Sequence, residues 1–295
     1  MKTLGIINPS SPAYNNLDMD AIQHWFADKG WTTKQSRNLF KTDRFLAGSD
    51  EQRASDIHQM FTDKKIEMIV ALKGGYGSGR LLDLLDYSLI KKNAKPLIGF
   101  SDTTALQLAL WAKAGLISYT GLSPRRDITA KGVDSLIDTS FSLFLAQKPL
   151  SIELHPMQND TKDITATLVG GTLSLITELI GTPYCPNYRN TLLFIEDVGE
   201  EPYKIDRMLT QLRLSGILDK VKGLIWGNFY KCLSSDENDG TLEQVLADLH
   251  SRMPDLKIWT GLPYGHNDSR VILPIGGKVR LKGGKTLIVS YQDFK

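Results

Sequence analysis

The 295-residue chain is 41% hydrophobic and 23% charged, the balance of a folded globular protein with enough residues for one large core or two smaller ones. A formal net charge of +2 lies too near neutral to suggest a nucleic-acid partner or an anionic membrane surface. The two cysteines, Cys185 and Cys232, form no disulfide framework and lack metal-ligand spacing, which points to a reducing compartment.

Residues 4–7 predict a short buried strand ending in a Pro/Ser turn over 8–12. The run is too short for a signal peptide, and no apolar run elsewhere is long enough to cross a bilayer, so a cytoplasmic protein without membrane contact is expected. Within 21–29, Ile22, Trp25 and Phe26 share one helical face. A second helix is expected over 50–63 and a buried strand over 66–72. A glycine-rich turn at 74–79 leads to a helix starting at 80–85. The next strand is expected at 96–100 and the next helix at 103–114. Strands alternating with helices at this spacing predict an α/β fold with a parallel sheet covered on both faces.

The pattern changes over 146–163, which is polar, poorly periodic and contains Pro149 and Pro156. Beyond it, strands are expected at 192–195, 223–226, 279–281 and 286–291, with another around Ile258. Helices are fewer, chiefly 205–214 and 242–253. The expected organisation is an N-terminal parallel-sheet α/β domain over 1–145, a linker over 146–165, and a β-rich α+β domain over 166–295.

Four places in this framework can carry chemistry. Ser101 follows Gly99-Phe100 at the junction of a strand and a helix, where a sharp turn exposes a hydroxyl and aims the first helical N–H groups, including that of Asp102, at one point. The same position suits a helix N-cap, and by itself the pattern favours the cap; the second glycine of the hydrolase elbow is missing, with Thr103 in its place. The turn Gly74-Gly75-Tyr76-Gly77-Ser78-Gly79 lets backbone N–H groups approach an anion, but Arg80 and Leu81 stand where a phosphate loop needs Lys and Ser/Thr. His266 lies in the glycine- and proline-containing loop 261–267. It is the histidine best placed to act as a base, although a lone loop histidine is commonly a surface residue. Glu196 opens the acidic cluster Glu196-Asp197-Val198-Gly199-Glu200-Glu201 after an apolar strand and can orient a histidine; a solvated loop suits Glu200 and Glu201 better.

In this order, and together with matches spread over nearly the whole chain, these elements resemble the LD-carboxypeptidase family of serine peptidases. The resemblance is carried by Phe45-Leu46-Ala47-Gly48-Ser49-Asp50-Glu51-Gln52-Arg53, by Gly74-Gly75-Tyr76-Gly77 with Arg80-Leu81-Leu82, and by Gly99-Phe100-Ser101-Asp102-Thr103-Thr104-Ala105-Leu106. It continues through Gly170-Gly171-Thr172-Leu173-Ser174-Leu175, Gly181-Thr182-Pro183-Tyr184 and Phe194-Ile195-Glu196-Asp197-Val198-Gly199-Glu200. The last matches are Tyr203, Asp206 and Arg207, then Gly265-His266. The resemblance implies Ser101 as nucleophile, His266 as general base and Glu196 as its orienting acid. It also implies oxyanion donors at the N–H groups of Gly75 and Asp102, a site at the domain interface and no metal or other cofactor. The substrate implied is a murein tetrapeptide losing its terminal D-alanine, and a homodimer is the implied assembly. Three positions depart from the family pattern and are expected near the substrate: Lys73 where arginine is usual, Tyr119-Thr120-Gly121-Leu122 in place of a His-Gly-Pro-like segment, and Thr172 where asparagine is frequent. Two alternatives accompany this expectation: a microcin C immunity-type peptidase acting on a peptidyl-aminoacyl nucleotide, and a non-catalytic nucleotide-binding module built on the glycine turn.

Overall fold

In the computed structural model, which describes residues 1–13, 17–158, 161–234 and 236–291, the short apolar runs are the strands of two sheets. The first is built from β1 (Lys2–Ile7), β2 (Trp31–Gln35), β3 (Met68–Ala71), β4 (Leu97–Gly99) and β5 (Ser118–Thr120), all parallel in the order β5-β4-β3-β1-β2. Every residue of β3, β4 and β5 is buried, so these strands read as continuous runs without alternation. Helices Met19–Asp28, Asp50–Thr62 and Thr103–Ala114 connect them. The second starts at a capping box, in which the Ser49 hydroxyl accepts from the Gln52 N–H and the Gln52 side chain accepts from the Ser49 N–H.

The second sheet comprises β6 (Leu150–Glu153), β7 (His155–Pro156), β8 (Ile164–Thr172), β9 (Thr191–Val198), β10 (Gly223–Tyr230) and β11 (Ile258–Thr260). After β12 (Leu273–Ile275) it is completed by β13 (Gly277–Lys282) and β14 (Thr286–Val289), in the order β6-β14-β13-β8-β9-β10-β11-β7. Its centre, β8 to β11, is parallel, and its flanks are antiparallel. An α/β unit followed by a β-rich unit is therefore the architecture.

Three expectations need correction. The segment expected as a linker supplies both edge strands of the second sheet, β6 and β7; its residues 159–160 lie outside the described residues. Leu150 and Ile152 do alternate with exposed Ser151 and Glu153, but a strand of four residues is too short to read as a period. Residues 273–275, assigned to the second domain with no strand expected there, instead form β12, which pairs antiparallel with β5 and makes an edge of the first sheet, where Pro274 is tolerated. The helix expected from Arg80 shrinks to a single 3-10 turn, Ser78–Leu81.

Helix Thr103–Ala114 joins the two units. It is buried from Thr103 through Leu110, and it packs on β8, on β12 and on helix Leu173–Glu178. The chain after β11 is clasped to the first sheet by Arg270. This fully buried guanidinium pairs with Asp127 through Nη2, donates to the Gly121 and Asn267 carbonyls at 3.0 and 3.1 Å, and lies 4.1 Å from the Phe100 ring centroid. In β8, Gly170 stands in register with Phe194 of β9, and a Cβ there would sit 1.9 Å from the Phe194 carbonyl oxygen.

Two stability changes follow. Asp127→Asn leaves a buried, uncompensated guanidinium and is expected to cost ~3–5 kcal/mol in urea unfolding; a midpoint equal to that of the parent protein would show that the pair does not hold the loop. Gly170→Ala is expected to cost at least ~3 kcal/mol because backbone, not a flexible side chain, blocks the new methyl. Thermal denaturation monitored by circular dichroism reads that loss directly.

Candidate active site

The C-terminal ends of the parallel strands of both sheets face one cleft, the edge at which open α/β sheets place their ligands. From the first sheet come the loops after β1 (Asn8 to Pro12), β3 (Lys73 to Gly79), β4 (Ser101) and β5 (Gly121 to Arg126). From the second come Thr172 at the end of β8, Glu196 in β9 and the His266 loop after β11. A larger cleft of about 570 Å³ opens at Lys2 and Trp31, the opposite ends of β1 and β2, far along the strands from this edge.

Ser101 sits at the elbow between β4 and helix Thr103–Ala114 with φ +64°, a left-handed conformation uncommon for a residue with a side chain. The tight turn depends on Gly74 of the neighbouring loop. A Cβ on Gly74 would lie 2.9 Å from the Phe100 oxygen and 2.9 Å from Ser101 Cβ. Thr103, which stands where the hydrolase elbow has its second glycine, is accommodated by Gly99, on which a Cβ would lie 2.4 Å from Thr103 Oγ1.

Asp102 is not a side-chain helix cap. Its buried carboxylate accepts from the Gly77 and Ser78 N–H groups at 3.1 and 2.8 Å and from the Ser10 hydroxyl at 2.5 Å, while the Ser78 hydroxyl donates to its carbonyl. The Tyr76 N–H is bound by Ser11 Oγ at 3.0 Å, and Arg53 donates to the Pro9 and Gly77 carbonyls. Three N–H groups of the glycine turn are therefore occupied by the protein's own oxygens, and the turn is locked against the elbow.

His266 brings the two units together. Its Nε2 lies 2.8 Å from Ser101 Oγ, and its Nδ1 lies 2.6 Å from Glu196 Oε2. Glu196 is fully buried inside β9, which runs further than the expected 192–195, and its other oxygen accepts from Thr172 Oγ1 at 2.6 Å. The ring of His266 packs on Phe100, with centroids 4.7 Å apart, and its backbone carbonyl accepts from Arg126. A hydroxyl, an imidazole and a carboxylate in such a line can transfer the hydroxyl proton to the ring and stabilise the resulting imidazolium. Beside Ser101 and His266 lies a cavity of about 180 Å³, lined also by Gly74, Gly75, Lys73 and Arg125.

The rest of the acidic cluster stays apart. Asp197 accepts from the Ser174 and Val198 N–H groups, and burial pushes its carboxyl up to about 6. Among the other histidines, His58 accepts from the Asp86 N–H at 2.9 Å, a structural use. Of the three departures expected near the substrate, only Lys73 lines the cavity. Thr172 instead holds Glu196, and Thr120 bonds Tyr264 at 2.6 Å beneath the His266 loop. The supports that sequence reasoning missed are Ser10, Arg126, Asp127 and Arg270; each acts across a long separation in the chain, and none lies in a local motif. Among the described residues no group of three or more His, Cys, Asp or Glu side chains is arranged to hold a metal ion.

Comparison with known proteins bears on the family. Residues 4–121 match the model of the LD-carboxypeptidase N-terminal domain, and residues 165–281 match that of the LD-carboxypeptidase C-terminal domain. The chain is 34% identical to the "Probable murein peptide carboxypeptidase" of Bacillus subtilis (strain 168), over 98% of this chain and 91% of that protein. It is 26% identical to the microcin C7 self-immunity protein MccF of Escherichia coli, over 95% of this chain and 90% of that one. The crystal structure of muramoyltetrapeptide carboxypeptidase from Oxalobacter formigenes superposes with a TM-score of 0.89 at 30% identity, covering 99% of this chain and 100% of that one. With both domains matched in order and a relative this similar along nearly all its length, the chain belongs to the LD-carboxypeptidase family of serine peptidases.

Proposed function

We propose that the protein is a serine carboxypeptidase that releases the terminal D-alanine of murein tetrapeptides by cleaving an L,D-amide bond through an acyl-enzyme. The observation that carries this reading is the hydrogen-bonded line from Ser101 through His266 to Glu196, opening on the small cavity. His266 Nε2 takes the Ser101 proton as Oγ attacks the scissile carbonyl, and Glu196 stabilises the imidazolium through Nδ1. The N–H groups of Asp102 and Gly75 bind the oxyanion, held by the Asp102 carboxylate's own grip on the glycine turn. The imidazolium then protonates the leaving amine, and water, deprotonated by the same ring, hydrolyses the ester.

Two features favour this reading over its alternatives. A cavity of about 180 Å³ is below the ~300 Å³ at which sites for drug-sized ligands begin, so it suits a small terminal residue better than a nucleoside. The glycine turn directs the N–H groups of Gly77 and Ser78 at Asp102, which leaves them no phosphate to bind. Peptidoglycan turnover in the cytoplasm is the setting this substrate implies.

Ser101→Ala is expected to lower kcat for D-alanine release by roughly 10⁴-fold or more. Release at the parent rate would remove Ser101 from the mechanism. Thr172→Val, which keeps the side-chain shape but withdraws one hydrogen bond from the buried Glu196 carboxylate, is expected to lower kcat about tenfold with little change in KM. Steady-state kinetics on the tetrapeptide separates the two parameters.

A further inference from the structure

The cavity beside Ser101 has a one-sided charge. Lys73 and Arg125 line it, and none of the described residues lining it is acidic. Among the described residues, Asp127 pairs with Arg270, Asp268 with Arg126, and Glu196 bonds His266 and Thr172. Arg126, which also lines the cavity, is held by the His266 carbonyl as well as by Asp268.

Lys73 and Arg125 are brought together by the backbone, since the Arg125 N–H donates to the carbonyl of Leu72 at 3.0 Å. Lys73 Nζ donates to the Pro12 carbonyl at 3.2 Å, which fixes its head group at the rim of the oxyanion turn. Both side chains are half-buried, and burial, reinforced by the charge of Arg125, holds the Lys73 ammonium below the usual lysine range. Two like charges kept close in a partly desolvated cavity repel each other, and a bound anion relieves that repulsion while accepting charge-assisted hydrogen bonds from both.

We infer that Lys73 and Arg125 form the subsite that grips the free C-terminal carboxylate of the residue being released. The inference rests on the peptidase reading above and adds to it the basis of exopeptidase selectivity. With the carboxylate held here, the amide one residue inward reaches Ser101 Oγ, and a longer chain would have to carry its backbone into the two cations. Lys73 lies next to Gly74 and Gly75, so the carboxylate sits on the leaving-group side, close to the turn that would receive the oxyanion.

The test measures binding as well as turnover. In the Ser101→Ala background, titration calorimetry should show the tetrapeptide acid binding about 10- to 100-fold more tightly than its C-terminal carboxamide. Adding Lys73→Met or Arg125→Met should erase most of that difference, whereas Lys73→Arg should keep it. In the Ser101 enzyme, the same methionine substitutions should raise KM for the acid by a similar factor and leave labelling of Ser101 by a small uncharged fluorophosphonate within about twofold. Equal affinity for acid and amide, no binding of either, or a preference that survives both methionine variants would overturn the inference. Selective binding of the acid without any hydrolysis by the Ser101 enzyme would overturn the proposed reaction and leave the carboxylate subsite standing.

Discussion

The site depends on the ion pair between Arg270 and Asp127, because it holds a loop of one unit against a sheet of the other. Ser101 and its elbow belong to the first sheet, whereas Glu196 and the approach to His266 belong to the second. A hydrogen bond of 2.8 Å between Ser101 and His266 requires the two units to be registered to within tenths of an ångström. Helix Thr103–Ala114 supplies the broad apolar contact, but apolar burial is non-directional and sets no such register. Arg270 supplies direction. Its planar fork joins Asp127, Gly121 and Asn267, and its face covers Phe100, against which the His266 ring also packs. Such a buried pair contributes little net stability over a well-packed apolar replacement, so its value here is geometric.

The elbow obeys the same logic on a smaller scale. A left-handed serine is strained by ~1–3 kcal/mol unless its surroundings fix it. Here the fixing comes from Asp102, whose carboxylate binds the glycine turn and the loop after β1 at once. The three loops at the C-terminal edge therefore form one hydrogen-bonded body. Its rigidity would keep the N–H groups of Gly75 and Asp102, the proposed oxyanion donors, in place without reorganisation, the condition under which such donors are most effective.

Much of this was legible in the sequence, for reasons that differ by element. Strands β1, β3, β4 and β9 are buried on both faces and read as apolar runs; β2, with a burial pattern of one buried residue followed by mostly exposed ones, has no such run. Helix Ser135–Leu145 was absent from the expected elements although four of its residues are buried. Ser101 and His266 could be picked out as candidates because they sit at a strand end and in a loop with local patterns, and Glu196 because an acidic cluster follows an apolar run, although it lies inside β9; the order of patterns carried the resemblance. Arg270, Asp127 and Thr172 could not, since their meaning arises only when residues far apart in the chain meet. Thr172 shows this most clearly: as a sequence departure it pointed to the substrate, yet its hydroxyl is spent on the buried carboxylate.

The charges of the site complete the account of why two sheets are needed. Glu196 must be buried to hold the His266 ring in one orientation, and a buried carboxylate is tolerated only with full hydrogen bonding, which Thr172 and His266 supply. Lys73 and Arg125 line the open cavity beside Ser101, where the proposed substrate carboxylate would reach them. Placing the carboxylate in the second sheet and the cations on loops of the first keeps these opposite charges from neutralising each other directly. In the proposed reaction, a peptide whose own carboxylate meets the cations would present its scissile carbonyl to Ser101 on the side facing the imidazole. On that proposal, the polarity of the cleft orients the substrate before any bond is broken.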